Sequence, residues 1–331
     1  MVRAMANKRA VMDMAAALQK VSRLLLVGHL SPDGDSLGSL LALRQVLHSM
    51  GKVATVFVPD GVPEKYRFLP GADTVVSLAG SLPPEPCTVV ILDCGEWERT
   101  GLPEYPFRDY TTLNIDHHRT SRGMGHYNLI DAGAAATGEL VYLVLAAMGA
   151  RISQETATCL YTAIVSDTGW FRFSNTTPEV HILAAELIRA GAWLDTVNDC
   201  LMTMPGTYLQ ALALLLSRLT TSPDGQSAIS WLSHQDLEKI GICPSEMEGL
   251  IDYPRALPGV QVAALVVETL PGTCKVSLRS RQAVDVSELA KEFGGGGHAR
   301  AAGCTISPCE LDRCLVEIRA AMARRLSYAT D

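Results

Sequence analysis

The sequence predicts an α/β protein built as a parallel-sheet domain followed by a smaller α/β domain. Short continuous apolar runs predict the sheet. Leu24-Leu25-Leu26-Val27 and Thr88-Val89-Val90-Ile91-Leu92 have the pattern of strands buried on both faces. Helical stretches alternate with these runs, as they do where helices cross over between parallel strands. After a turn-rich segment at 220–226 the pattern changes character, which places the domain connection there.

Taken in order, residues 9–20 read as a first helix and 24–27 as the first buried strand. A Gly/Pro/Asp loop at 28–35 leads into a helix at 36–50. Its apolar positions are Leu37, Leu40, Leu41, Val46 and Leu47, and Gly51 stops it. Strands follow at 53–58, near 74–78, at 88–92 and at 111–115. Thr137 can cap a helix running to Met148, and a second helix spans 153–166. Thr177-Pro178-Glu179 is a strong helix start, an N-cap followed by proline at the first helical position, and Gly191 is the stop. Residues 207–219 form an apolar helix with Thr207 as its N-cap. Beyond it, strands are expected at 227–232, 260–268 and 274–279, and helices at 233–240, 287–293 and 308–326. The expected division is 1–205 for the first domain, 206–220 for a helical linker and 221–331 for the second.

A chain of 331 residues with 48% hydrophobic and 19% charged residues can bury ordinary cores. No apolar run reaches the length of a membrane span, and residues 1–20 lack the apolar core and cleavage site of a signal peptide. The expectation is a cytoplasmic protein with no membrane partner. The net charge of −7 argues against gripping long nucleic acid with the whole surface. It permits a small phosphate ester, if metals and a few arginines supply local positive charge. The nine cysteines are scattered without a C-x-x-C pair, which reads as reduced thiols.

Acidic and histidine clusters fall where strands or helices of the first domain end. They are His29, Asp33 and Asp35 in the 28–36 loop, Asp93 after the 88–92 strand, Asp116-His117-His118 after the 111–115 strand, and Asp167 after a helix. Each has a plain alternative: Pro-Asp-Gly-Asp makes turns, and an Asp at an element end can be a cap. Ligands of parallel sheets bind at the carboxyl ends of the strands, so these clusters would converge. Gathered carboxylates repel one another, and divalent cations are the simplest remedy. Two His with several Asp suit Mn²⁺, with Mg²⁺ or Co²⁺ as substitutes, and the ligand count suggests two ions sharing a carboxylate. His48, His126, His181 and His234 lack such company and read as structural or surface residues. In the second domain, the run of four glycines ending at Gly296-Gly297, followed by His298-Ala299-Arg300, can present backbone N–H groups to an anion. Arg279 and Arg281 are further phosphate candidates.

Together these residues resemble a DHH-family phosphoesterase with the DHH-associated C-terminal domain, in the stand-alone nanoRNase/pAp-phosphatase group. The motifs that carry the resemblance are Gly28-His29-x-x-x-Asp33-x-Asp35, Leu92-Asp93, Asp116-His117-His118, Ser166-Asp167-Thr168-Gly169 and the glycine run into His298-x-x-Ala301-Ala302-Gly303. Glu248-Gly249-Leu250-Ile251-Asp252-Tyr253-Pro254-Arg255 and Val276-Ser277-Leu278-Arg279-Ser280 add to it. The resemblance implies an active site in the cleft between the two domains. It implies two Mn²⁺ ions, one on His29, Asp33 and Asp93, the other on Asp35, Asp93, His117 and Asp167. His118 would face the substrate phosphate, supported by Asp116, with both counted as catalytic. Gly296, Gly297, His298 and Arg279 would grip the substrate's other groups. The family assigns Arg300 no role, and an added anion contact is the expectation for it.

The implied reaction is two-metal hydrolysis of short oligoribonucleotides, with pAp to AMP as a second activity. A cyclic-dinucleotide phosphodiesterase would share every ligand, and a nucleotide-binding regulator with a silent site is the rival from another class. A manganese pyrophosphatase would not need the glycine-His loop. A long-strand exonuclease of the RecJ type would carry extra domains. Oligomeric state stays open, a homodimer included.

Overall fold

The computed structural model describes residues 2–77, 88–102, 110–247, 249–281 and 284–328. The chain divides into two compact units, Met1–Thr203 and Met204–Asp331.

The first unit holds a five-stranded, wholly parallel sheet in the order β2-β1-β3-β4-β5. Its strands are β1 (Arg23–Val27), β2 (Val53–Phe57), β3 (Thr88–Leu92), β4 (Thr112–Asp116) and β5 (Tyr127–Ile130). The apolar runs are continuous because both faces are covered. Leu24, Leu26, Val90 and Leu92 join the large core under the helices, while Leu25, Val27, Val89 and Ile91 pack with Phe57, Cys94 and Leu102 on the other side. In this strand order the chain reverses direction across the sheet between β1 and β3, the place where open parallel sheets bind their ligands.

The helices of this unit are α1 (Val2–Lys20), α2 (Gly34–Ser49), α3 (Thr137–Ala147), α4 (Gln154–Asp167), α5 (Pro178–Arg189) and α6 (Leu194–Met202). Thr177 caps α5 through Val180 N–H, with Pro178 at the first turn. Helices α2 and α4 touch along a glycine seam. A Cβ at Gly38 would stand 2.3 Å from the Cys159 carbonyl oxygen, and one at Gly34 would stand 1.9 Å from Ser166 Oγ. Only residues without a side chain allow this approach, and it sets the start of α2 beside the end of α4.

The second unit is organised on a six-stranded sheet, order β10-β11-β9-β8-β7-β6. Its strands are β6 (Thr220–Thr221), β7 (Ser227–Leu232), β8 (Val262–Leu270), β9 (Thr273–Ser280), β10 (Gly296–His298) and β11 (Ala301–Ile306). Only the β7–β8 pair is parallel. Its helices are α7 (Gly206–Ser217), α8 (His234–Ile240), α9 (Asp252–Ala256), α10 (Val286–Glu292) and α11 (Leu311–Tyr328). One sheet face packs Val262, Val276 and Leu278 against α10 and α11. The other packs Ala263, Leu265 and Val267 with Ala211 and Leu215 of α7 and Leu237 of α8. The helix expected as a linker thus buries its apolar side in the second unit's own core.

Several local expectations change. The strand near 74–78 is reduced to a single bridge between Phe57 and Val76, with Ala72–Thr74 in a 3-10 turn; Leu78 lies outside the described residues, as do Cys87 and Glu248. Thr207 does not cap α7: Pro205 precedes the first turn and no side chain caps it. Thr137 is not a cap either. The N-cap position is Ala136, and the Thr137 hydroxyl is used elsewhere. Strand β5 and helices α6 and α9 carry weak sequence patterns and were not expected. Among the described residues, no single helix is long and apolar enough to cross a membrane.

Candidate metal centre

Strand β1 delivers His29 to the carboxyl edge of the sheet, where it is 3% exposed. Its Nδ1 lies 2.7 Å from the Leu30 carbonyl oxygen, so Nδ1 carries the proton and donates. The Nε2 lone pair is left facing Asp93 Oδ2 at 3.4 Å. Asp33 caps α2, accepting through Oδ1 from the N–H groups of Asp35 and Ser36.

Asp35 is fully buried and receives the start of α3. Its Oδ2 accepts from Thr137 N–H at 2.6 Å and its Oδ1 from Gly138 N–H at 2.9 Å. A helix N-terminus favours a carboxylate. Even so, burial first, and then the charges of Asp93, Asp167 and Asp33, push the Asp35 carboxyl well above the usual range.

Asp93 leaves β3 in the left-handed region, at φ +58°. That conformation costs a non-glycine residue about 1–3 kcal/mol, and such strain gathers at functional sites. The turn directs both carboxylate oxygens into the site. Oδ2 faces His29, while Oδ1 accepts from the Thr137 hydroxyl at 3.0 Å and lies 3.7 Å from both His117 and His118. Burial, then Asp33, raises the Asp93 carboxyl well above its ordinary value.

Strand β4 ends in Asp116-His117-His118, which divide their contacts. His117 Nδ1 donates to the Ala134 carbonyl, so Nε2 points at carboxylates, 3.2 Å from Asp167 Oδ2 and 3.7 Å from Asp35 Oδ2. His118 Nδ1 donates instead to Asp116 Oδ1 at 2.6 Å. That hydrogen bond, against the opposing effect of burial, raises the His118 imidazole to about 9. Burial pushes Asp116 up, but the His118 hydrogen bond and charge bring it below its ordinary value. Asp167, at the end of α4, is raised by burial and partly relieved by His117.

Three groups of donors result, each with its atoms within 4.8 Å of one another. They are His29, Asp33 and Asp93; Asp35, His117 and Asp167; and Asp93, His117 and His118. Every residue expected to ligate falls into one of them. The carboxylates of Asp35, Asp93 and Asp167, held above their ordinary pKa, beside the inward-facing Nε2 atoms of His29 and His117, form a donor set that fits divalent transition cations.

The substrate residues expected from the second unit lie within that unit. Arg279 lines a cavity of about 310 Å³ with Lys275, Ser277 and the apolar Met247, Ile251, Leu265 and Val267. The glycine run is not all loop. Gly296–His298 pairs antiparallel with β11, and Gly297, at φ +140°, could carry no Cβ because the Ala301 carbonyl oxygen would lie 2.6 Å away. Gly296 and His298 are exposed. Arg300, also exposed, donates through Nη1 to the carbonyls of Arg281 and Val284.

One relative, the bifunctional oligoribonuclease and PAP phosphatase NrnA of Thermus thermophilus, is 34% identical over 92% of this chain and 91% of its own length. Residues 23–164 match the DHH family, N-terminal domain, and residues 227–324 match the DHHA1 domain. The chain belongs to the DHH family. The NrnA of Bacillus subtilis is 28% identical over 89% of this chain and 93% of its own length. A crystal structure of an exopolyphosphatase-related protein from Bacteroides fragilis superposes with a TM-score of 0.85, at 25% identity and with 98% of each chain covered. As a DHH protein the chain is a phosphoesterase.

Two residues of this DHH centre were not legible in the sequence. Thr137 joins Asp35 and Asp93, through its N–H and its hydroxyl. Asn175 Nδ2 ties the Ala135 carbonyl to that of Asp167. A threonine at a helix start and an asparagine in a turn have ordinary local explanations, so no sequence signal separates them. Thr137→Val keeps the shape and removes the hydroxyl. Mn²⁺ affinity, measured calorimetrically, is expected to fall at least about tenfold, as for other residues that orient metal ligands. Unchanged affinity would remove Thr137 from the site.

Proposed function

We propose that this protein is a Mn²⁺-dependent phosphoesterase that hydrolyses short oligoribonucleotides, including dinucleotides such as pGpG, to mononucleotides, and pAp to AMP. The observation that carries the reading is the sharing of Asp93. One of its oxygens faces the His29–Asp33 group and the other faces the His117 group. The relatives named as oligoribonucleases and PAP phosphatases support the choice of substrate.

In this reading His29, Asp33 and Asp93 hold one ion, and Asp35, Asp93, His117 and Asp167 the other. Bound there, the ions supply an activated water and neutralise phosphoryl charge. The chain's own residues do the rest. Nδ1–H donation to Leu30 and to Ala134 fixes the rings of His29 and His117 with Nε2 directed inward. Asp116 holds His118 so that Nε2–H is presented to the substrate, where it can donate a proton to the leaving oxygen. Asp116 is also a positioning group: its Oδ1 accepts from both the Nδ1–H and the backbone N–H of His118.

The second unit supplies recognition in this reading. The apolar wall of Met247, Ile251, Leu265 and Val267 takes a base, while Arg279 and the exposed Gly296, Gly297 and His298 take phosphate, with little sequence readout. Residues 206–220 serve as the connection between the two units in this reading. The location in this reading is the cytoplasm.

The test is relative turnover of a labelled RNA dinucleotide, pAp, a linear dinucleotide and a cyclic dinucleotide under one Mn²⁺ condition. RNA dinucleotide and pAp are expected to be cleaved. Turnover of the cyclic dinucleotide alone would replace this reading with a cyclic-dinucleotide phosphodiesterase. Tight nucleotide binding with no hydrolysis would make the protein a regulator.

A further inference from the structure

Phosphoryl transfer spreads negative charge over the non-bridging oxygens, and phosphoryl-transfer sites meet that charge with positioned cations as well as metals. The first unit's site is rich in carboxylates, so any guanidinium near it stands out. Arg99 is such a group, and neither the sequence motifs nor the ligand assignments give it a role.

Arg99 lies in the 3-10 turn Trp97–Thr100, shortly after Asp93. Its backbone is anchored: the Arg99 carbonyl accepts from Leu30 N–H at 2.7 Å, tying this turn to the loop after β1. Its Nη2 stands 3.2 Å from His29 Nδ1. That contact does not satisfy it. His29 Nδ1 lies closer to the Leu30 carbonyl, at 2.7 Å, and a ring nitrogen that donates there has no lone pair left for a guanidinium, which can only donate. Two donors therefore face one another. Among the described residues Arg99 has no carboxylate within ion-pair distance, although it is half-buried beside a cluster of them. A partly desolvated arginine held in place without an acceptor is suited to an anion that arrives with the substrate.

We propose that Arg99 is a catalytic residue that grips the non-bridging oxygens of the scissile phosphate, completing the site with a cation from the same unit that carries the ligands. The inference rests on the phosphoesterase reading above and adds a residue to it. A planar fork with several donors matches two phosphate oxygens at once, which a lysine ammonium does not.

The experiment compares wild type, Arg99→Gln and Arg99→Lys by kcat and KM on an RNA dinucleotide with saturating Mn²⁺. Calorimetric Mn²⁺ affinity and thermal midpoint are measured on the same proteins. For Arg99→Gln, kcat/KM is expected to fall about 100-fold or more, the scale of losing one group that stabilises developing charge. Arg99→Lys is expected to recover part of that loss, and Mn²⁺ affinity is expected to stay within twofold of wild type in both. Wild-type kcat/KM in Arg99→Gln overturns the proposal. So does a loss of Mn²⁺ affinity that parallels the loss of activity, which would mean that Arg99 only supports His29. A wild type that cleaves no phosphoester overturns the function reading itself, and this inference with it; the wild-type arm separates that failure from the other two.

Discussion

Asp93→Asn is expected to lower kcat by about 10³-fold or more, because in the proposed two-ion reading several kcal/mol of transition-state stabilisation would depend on the ions that Asp93 would join. The substitution is nearly isosteric. It keeps the turn at φ +58°, and one amide oxygen remains to accept from the Thr137 hydroxyl. What it removes is the charge, and with it the ability of one side chain to serve the His29 group and the His117 group together. The same change is expected to leave the metal-free fold intact or more stable, since it removes a buried carboxylate whose ionised form is disfavoured there. Activity and thermal midpoint should thus move in opposite directions. An Asp93→Asn protein with wild-type turnover would mean that the two groups do not share a ligand.

Stripping the metal is expected to change how stability depends on pH. Asp35, Asp93 and Asp167 all have raised carboxyl pKa values, first through burial and then, for Asp35, through neighbouring carboxylates. A raised folded-state pKa means that the native state binds protons more tightly than the unfolded chain does. Its contribution is fully present below the ordinary carboxylate pKa and is lost as pH rises through the raised values. Metal-free protein should therefore gain thermal stability when pH falls from about 7 to about 5, the upper part of that window. Asp116, whose pKa is lowered, works the other way only in more acid solution. Mn²⁺-loaded protein should show the reverse, because protons compete with the ion for the same oxygens. The two curves of thermal midpoint against pH are expected to converge on acidification. A stripped protein that grows steadily more stable from pH 5 to pH 7 would contradict the burial of these charges.

The candidate ligands were legible because their chemistry is wasteful anywhere else. His29, Asp93 and Asp116-His117-His118 sit directly after buried strands, and β1, β3 and β4 read as strands on both-face burial alone. Parallel order then carries those strand ends to one edge. What the sequence could not show were contacts made through space by unremarkable residues. Thr137 passed as a helix cap, yet its hydroxyl belongs to Asp93. Arg300 gave no local sign that its Nη1 donates to the carbonyls of Arg281 and Val284. The glycine run passed as a nest, and part of it is a strand, since its backbone can pair with β11 where no side chain intervenes. Arg99 carries no motif at all, and its place follows from a single backbone hydrogen bond to Leu30. Propensity and periodicity report on a residue's neighbours in sequence, and these four are decided by neighbours in space.

In the proposed two-ion reading, the glycine seam between α2 and α4 would have a bearing on which ion the protein accepts. Asp35 rides on one helix and Asp167 on the other, so the gap their oxygens leave is set by how closely the two backbones approach at Gly34 and Gly38. Cations that differ in radius by a tenth or two of an ångström ask for different gaps. A single methyl group at either glycine would pry the helices apart and widen the opening without touching a ligand. The seam is in this sense a caliper. Metal preference in such a site can drift through the packing of two helices while every coordinating side chain stays the same.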